Sequence, residues 1–343
     1  MSFGNLNLLA DNIASMVESP ELTIGQVILL LSQEHEEQKV LELTRKFCLQ
    51  SSSKEIQKKG MEFLYINGYF EDLKILIAKN SLSNDASNQT WAQVYQIMLE
   101  RRMNESSSMG KMRARLKDIK TTDAELRCLI EITIIDTYFY QMDFGKIGNF
   151  LEKQYELFEP IQDNFMLSCL NLRLYQKLFF YYWKRNELII ARKYAFRALN
   201  QTNSSPTKVG LHMNLGLSYT FDTYYQGMYH MKEALKIAKQ NNLTGYVRQI
   251  ENFSIPFLAA HFRKPNGITT DDISEQAHLE IAKGNNEKAI TLLEDIYTTS
   301  PFKMYYMGLA KQDKNILSEA CRMFVERSDY FFSRLPMTAM QHL

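Results

Sequence analysis

The side chains able to do chemistry are scattered along this chain. Six histidines, His35, His212, His230, His261, His278 and His342, show no metal-ligand spacing, and Cys48, Cys128, Cys169 and Cys321 form no CxxC pair, zinc pattern or disulfide framework. No GxxxxGK[ST], no GxGxxG after a strand, no HExxH and no GxSxG occurs. Carboxylates are plentiful, but no pair is set apart as a general acid and base. The residues therefore describe a protein that is not an enzyme and needs neither metal nor cofactor. What remains is chemistry of recognition. His278 sits where a helix could present it to a ligand, although the residue taken alone favours a histidine satisfied at a helix interface. The run Phe179-Phe180-Tyr181-Tyr182-Trp183 spans a helical turn, most of it core, with Phe180 or Trp183 left to face outward. Residues 101–120 carry Arg101, Arg102, Lys111, Arg113, Arg115 and Lys117, which could touch phosphates or form an exposed, solvated helix face. Ser328-Asp329-x-Phe331-x-x-Arg334-Leu335-Pro336 is a tail that no packing rule requires. On its residues alone Asp329 reads as a surface carboxylate paired with Arg327 or Arg334.

Bulk properties narrow the partners. Lys plus Arg total 40 against 39 Asp plus Glu, so a net charge of +1 gives no global pull towards nucleic acid or an anionic membrane. The N-terminus has no basic n-region and no sustained apolar run, so it is not a signal peptide, and no apolar run approaches the ~20 residues of a membrane span. Cysteines without a framework suit a reducing cytosol.

Helices must position these groups. Apolar residues recur at three and four along nearly the whole chain, and no period-two pattern competes. Clusters rich in Ser, Asn, Gly or Pro break the helices at residues 81–88, 104–110, 201–207 and 263–272. Asp272, three residues before Glu275, predicts a capping box at the start of the next helix. Within residues 304–336, Gly308 is followed after twelve residues by Ala320 and after four more by Phe324. This small–small–large spacing marks a tetratricopeptide-type hairpin, in which small residues let antiparallel helices approach. It recurs as Gly60, Asp72, Leu76 and as Ala277, Ala289, Leu293. Leu215-Gly216-x-x-Tyr219 matches a further part of the repeat signature, and Ala191, Ala195 and Ala198 lie on one face of another helix. The prediction is all-α: a right-handed superhelix of tetratricopeptide-like repeats. Residues 1–343 are read as a single α-solenoid, less regular over 1–120 and clearer over 121–336, with no separate helix-turn-helix domain. First helices of such arrays line an inner groove that takes extended peptides. Register puts Phe180 and Lys184, Met213 and Leu217, Ser274 and His278, and Tyr305 and Leu309 in that groove.

Over residues 272–336 the order and gaps of Ser274-Glu275-Gln276-Ala277-His278, Lys288-Ala289, Tyr305-Tyr306-x-Gly308, Gln312-x-Lys314 and the Asp329 tail resemble the arbitrium peptide receptors (AimR) of Bacillus phages. A looser similarity reaches back to about residue 8 through Tyr194, Ala198-Leu199 and Gly216. The resemblance implies a cytoplasmic receptor for a short communication peptide, controlling transcription in the lysis–lysogeny decision, with partners that include a second copy in a homodimer and DNA. It also implies that Asp329 pairs with a basic peptide side chain and that Phe331, Phe180, Lys184, Leu217, His278 and Tyr305 contribute to peptide binding. Such a charge-assisted pair in a water-poor groove contributes roughly 1.5–3 kcal/mol. Three departures qualify the expectation. The family's N-terminal helix-turn-helix is not found, so DNA binding is not implied by these residues. The chain stops at Leu343, where relatives carry a leucine-rich helix used in dimerisation. The family's groove asparagines and arginine are replaced by Phe180, Lys184, Pro206 and Leu217. A tetratricopeptide-type interaction scaffold without peptide sensing or DNA binding is the alternative.

Overall fold

The computed structural model describes residues 22–103, 108–297 and 300–343. The expectations for the first residues of the chain, and for the break at 104–107, fall outside the described residues. Among the described residues every regular element is helical and none is a strand, as the periodicity predicts. No described helix is long and apolar enough to cross a membrane.

Two compact units are present, residues 1–141 with 149–173, and residues 142–148 with 174–343. The first contains α1 (Ile24–Ser32), α2 (Glu37–Gln50), α3 (Lys54–Ile66), α4 (Phe70–Ser81), α5 (Ala86–Arg102), α6 (Met109–Asp118) and α7 (Ala124–Tyr140). After a 3-10 turn (Phe144–Lys146) and the short α8 (Ile147–Leu151) come α9 (Gln154–Phe158) and the long α10 (Asn164–Lys184). The second unit continues through α11 (Leu188–Gln201), α12 (Ser205–Ser218), α13 (Tyr224–Gln240) and α14 (Thr244–Gln249). A π-helical turn (Ile250–Ser254) leads into α15 (Ile255–His261), then α16 (Ile273–Lys283), α17 (Asn286–Glu294), α18 (Pro301–Lys311), α19 (Lys314–Glu326) and α20 (Arg334–Gln341). Successive helices pack on one another, α12 on α13 and α18 on α19 most extensively.

Local chemistry explains the starts and stops. Side chains of Thr23, Asp85, Asp123, Thr223, Asp272, Ser300 and Asp313 each accept a backbone N–H of the first turn they cap. Gly284 closes α16 and Gln312 closes α18 in the left-handed conformation that ends a helix without a continuing turn. The expected capping box at Asp272 is half realised. Asp272 accepts the Glu275 N–H at 2.9 Å, but the Glu275 carboxylate accepts the Tyr306 hydroxyl at 2.8 Å instead. A tertiary partner has taken the side chain that local sequence assigned to the cap.

The small-residue seams are where the spacing puts them. Ala191, Ala195 and Ala198 are fully buried, as are Ala277, Ala289, Leu293 and Ala320. Gly308 lies under Leu317: a methyl group added to it would stand 2.8 Å from that side chain. In the first unit the core gathers around Phe47, Phe63, Trp91 and Tyr95. It also holds a buried polar cluster. Arg173 Nε and Nη2 donate to the two oxygens of Glu62 at 2.8 and 2.7 Å, and Tyr95 Oη donates to Glu62 at 2.7 Å. Fork geometry satisfies both charges where water is absent.

Candidate functional site

The tail begins where α19 ends. Ser328 takes a φ of +56°, which turns the chain so that the Asp329 N–H reaches back to the Phe324 carbonyl at 2.9 Å. Gly145 gives way to this turn, since a methyl group there would lie 2.9 Å from Ser328 Oγ. Asp329 is thereby driven inward. It is 5% exposed, Oδ1 accepts the Phe332 N–H at 3.1 Å, and Oδ2 accepts from Lys184 Nζ at 2.7 Å. Neither Arg327 nor Arg334 is its partner, which corrects the surface pairing read from the residues alone. Arg327 meets the Met142 sulfur, and Arg334 donates to Asn186 Oδ1 at 2.9 Å while covering the Phe221 ring at 4.1 Å.

Lys184 is the last residue of α10, and its backbone carbonyl accepts the Phe331 N–H at 3.1 Å. Its ammonium is enclosed by aromatic faces: Trp183 at 4.4 Å, Phe332 at 4.5 Å and Phe144 at 4.9 Å from the ring centres. Burial lowers its pKa, an effect that the Asp329 carboxylate opposes. The pair is thus a cation and an anion held together by mutual need in a dry, aromatic-walled place.

From this pair a line of ring contacts runs through the second unit. Phe331, fully buried, meets Trp183 at 5.6 Å and Phe221 at 5.0 Å. Phe332 meets Phe257 at 5.9 Å, Phe257 meets His278 at 5.6 Å, and His278 meets Tyr305 at 6.3 Å. His278 stacks on Tyr306 at 4.1 Å and is 2% exposed, with Nδ1 3.5 Å from a Glu275 oxygen. It is a histidine at a helix interface. His261, beside Phe221 and Phe257, is lowered to about 4, first by burial and then by the neighbouring His278, and so stays neutral at physiological pH. Burial pushes the Tyr305 hydroxyl upward.

Five of the residues expected to bind peptide, Lys184, Asp329, Phe331, His278 and Tyr305, therefore belong to one connected aromatic and charged layer, and all five are buried. Phe180 and Leu217 are half-buried. Phe180 joins the layer through Trp183 at 5.7 Å, and Leu217 lies near the end of α12. Sequence reasoning missed Phe332, Phe257, Phe221 and Phe144, which connect the rest. Nothing in their spacing marks them, because each comes from a different element. Among the described residues no group of three or more His, Cys, Asp or Glu could hold a metal ion. The layer offers a buried charge pair and apolar surface, which suit recognition and conformational coupling.

Comparison with known proteins is consistent along nearly the whole chain. A family model described as AimR transcriptional regulator-like matches residues 40–342. The AimR transcriptional regulator of Bacillus phage SPbeta is 22% identical over 315 residues, 88% of this chain and 80% of that protein. The AimR transcriptional regulator of Bacillus phage phi3T is 22% identical over 317 residues, 88% of this chain and 81% of its own. A solved structure of phAimR with ligand superposes with a TM-score of 0.80 at 20% identity, covering 94% of this chain and 97% of that one; that likeness establishes a shared fold. With the family model matched over residues 40–342, the chain belongs to the AimR transcriptional regulator-like family.

Proposed function

We propose that this chain is a peptide-responsive regulator of transcription that works in the host cytoplasm in the lysis–lysogeny decision of a phage or prophage. The observation that carries this reading is the family match over residues 40–342. It is supported by relatives named as AimR transcriptional regulators and by a fold shared with a ligand-bound AimR. The ligand is a short signalling peptide with a basic side chain. Lys184 Nζ donates to Asp329 Oδ2 at 2.7 Å. The peptide cation takes over that role as the aromatic layer opens, and half-buried Phe180 and Leu217 contact the peptide body. Phe331, His278 and Tyr305 hold the layer in register. The working form is a homodimer.

Titration calorimetry with the peptide encoded beside this gene tests the reading, using the natural peptide and a form with citrulline in place of its basic residue. The natural peptide should bind with one-site stoichiometry, and citrulline should cost roughly 1.5–3 kcal/mol, the worth of a charge-assisted hydrogen bond. That penalty should vanish in Asp329→Asn. Equal binding of both peptides to the unaltered chain removes Asp329 from the site, and no binding of either removes the peptide reading. A gel shift on the phage promoter region, with and without peptide, reports separately on DNA.

A further inference from the structure

A concave site lies in the first unit, distant in sequence from the tail. It is a cleft of about 630 Å³ bounded by α5, the end of α6, the following segment and α7. Leu116, Ile130 and Ile134 form an apolar floor, and Lys117, Lys120 and Arg127 stand around it. All three cations are exposed, and none makes an ion pair among the described residues. Their neighbours in sequence behave differently. Arg101 is buried against Asp136 at 2.7 Å, and Arg115 is paired with Glu100. Within the basic stretch Arg101 is spent inside the fold and Arg115 in a surface pair, whereas Lys117 and Lys120 line the hollow without an ion pair.

Two carboxylates share the cleft. Asp123 is committed: Oδ1 accepts the Leu126 N–H at 3.1 Å and Oδ2 accepts Trp91 Nε1 at 2.8 Å. Glu131 is half-buried and is not drawn into an ion pair. Cations thus exceed uncommitted anions, and a volume of several hundred Å³ is that of a small-molecule site. We propose that the cleft binds a small organic anion, its compact apolar body on the Leu116–Ile130–Ile134 floor and its anionic head among Lys117, Lys120 and Arg127. The site is independent of the peptide reading. It would give the chain a second input, coming from a metabolite rather than a peptide.

The test uses the full chain and naphthyl phosphate as probe, followed by calorimetry and by probe fluorescence, with naphthol and inorganic phosphate as the two halves of the probe. Naphthyl phosphate should saturate a single site and bind more tightly than either half. The triple variant Lys117→Glu/Lys120→Glu/Arg127→Glu should weaken it by at least about tenfold, because three exposed attractions become repulsions. Glu131→Gln should tighten it, a gain that misfolding cannot produce. The proposal is overturned if the probe does not saturate, if the triple variant keeps its thermal unfolding and its affinity, or if inorganic phosphate alone binds as tightly. If the probe fails while a DNA duplex binds and loses affinity in the triple variant, the cleft is a contact for a nucleic-acid backbone, and the small-ligand proposal is wrong.

Discussion

At the scale of single residues, ionisable groups in the core report most directly on the packing around them. Lys59 Nζ faces Asp163 at 2.7 Å, Glu125 at 3.6 Å and Glu55 at 4.0 Å, so one cation answers three carboxylates. Glu125 is left with the smaller share. Burial raises its pKa to about 7, against the pull of Lys59 and with the help of Asp163 and Asp123. In the unfolded chain the carboxyl returns to its ordinary value of 4.5. Between these values the folded state holds a proton that the unfolded state has released. The contribution to stability is therefore present below pH 4.5 and is lost as pH rises through 7. Glu125→Gln should remove this dependence. Urea denaturation should show the variant gaining stability relative to the parent between about pH 5 and 8; parallel curves would show that Glu125 titrates normally. Nothing about Glu125 in the sequence distinguishes it from the helix-surface carboxylates around it. Its neighbours Lys59, on α3, and Asp163, just before α10, come from distant parts of the chain, so the shift is a property of the fold.

At the scale of elements, hairpins are held at close range by residues without side-chain bulk. Gly216 on α12 faces the Gly227 carbonyl on α13. A methyl group at Gly216 would stand 2.9 Å from that oxygen and 2.7 Å from the Met231 methyl. The methionine can move, but the carbonyl belongs to a helix and cannot move without shifting it. Gly216→Ala should therefore destabilise the chain by about 1–3 kcal/mol, the usual cost of overpacking, despite alanine's better helix propensity. Gly245→Ala, at a helical position with nothing within 4 Å, should stabilise by roughly 0.4–1 kcal/mol. Denaturant melts of the two variants should move in opposite directions, and a neutral Gly216→Ala would mean that α12 and α13 are free to separate. This feature was legible beforehand, because the Leu215-Gly216-x-x-Tyr219 pattern predicts a close approach. The pairing of His212 and His230 across the same hairpin, Nδ1 to Nδ1 at 3.0 Å, was not legible. Two histidines eighteen residues apart carry no signal of contact until the hairpin register is known.

At the scale of the whole molecule, about one residue in five is shared with the solved relative, yet the fold coincides. Tetratricopeptide-like helices tolerate such drift because each hairpin needs only small residues at its seam and apolar residues on its face. Positions that read a ligand are under no such constraint, so relatives that share the fold are free to differ in what they recognise. If the peptide binds the native chain alone, a hundredfold excess over Kd should raise apparent stability by about 2.7 kcal/mol. Thermal unfolding with graded peptide would read this as a rising, concentration-dependent midpoint, and a fixed midpoint alongside calorimetric binding would mean that the unfolded chain binds as well.

The sequence by itself determined the helical class, the helix breaks at residues 81–88, 201–207 and 263–272, the small-residue seams and the family, since each depends on residues close together in the chain or on a motif read in order. Only the tertiary structure decided what the charges do. Lys184 and Asp329 lie 145 residues apart, and Glu62 and Arg173 lie 111 apart. A buried charge takes whichever opposite charge the fold delivers, because leaving it alone in a dry interior costs more than any local preference supplies. That is why Asp329, read as a surface group from its neighbours, lies inside the molecule with a lysine from the end of α10.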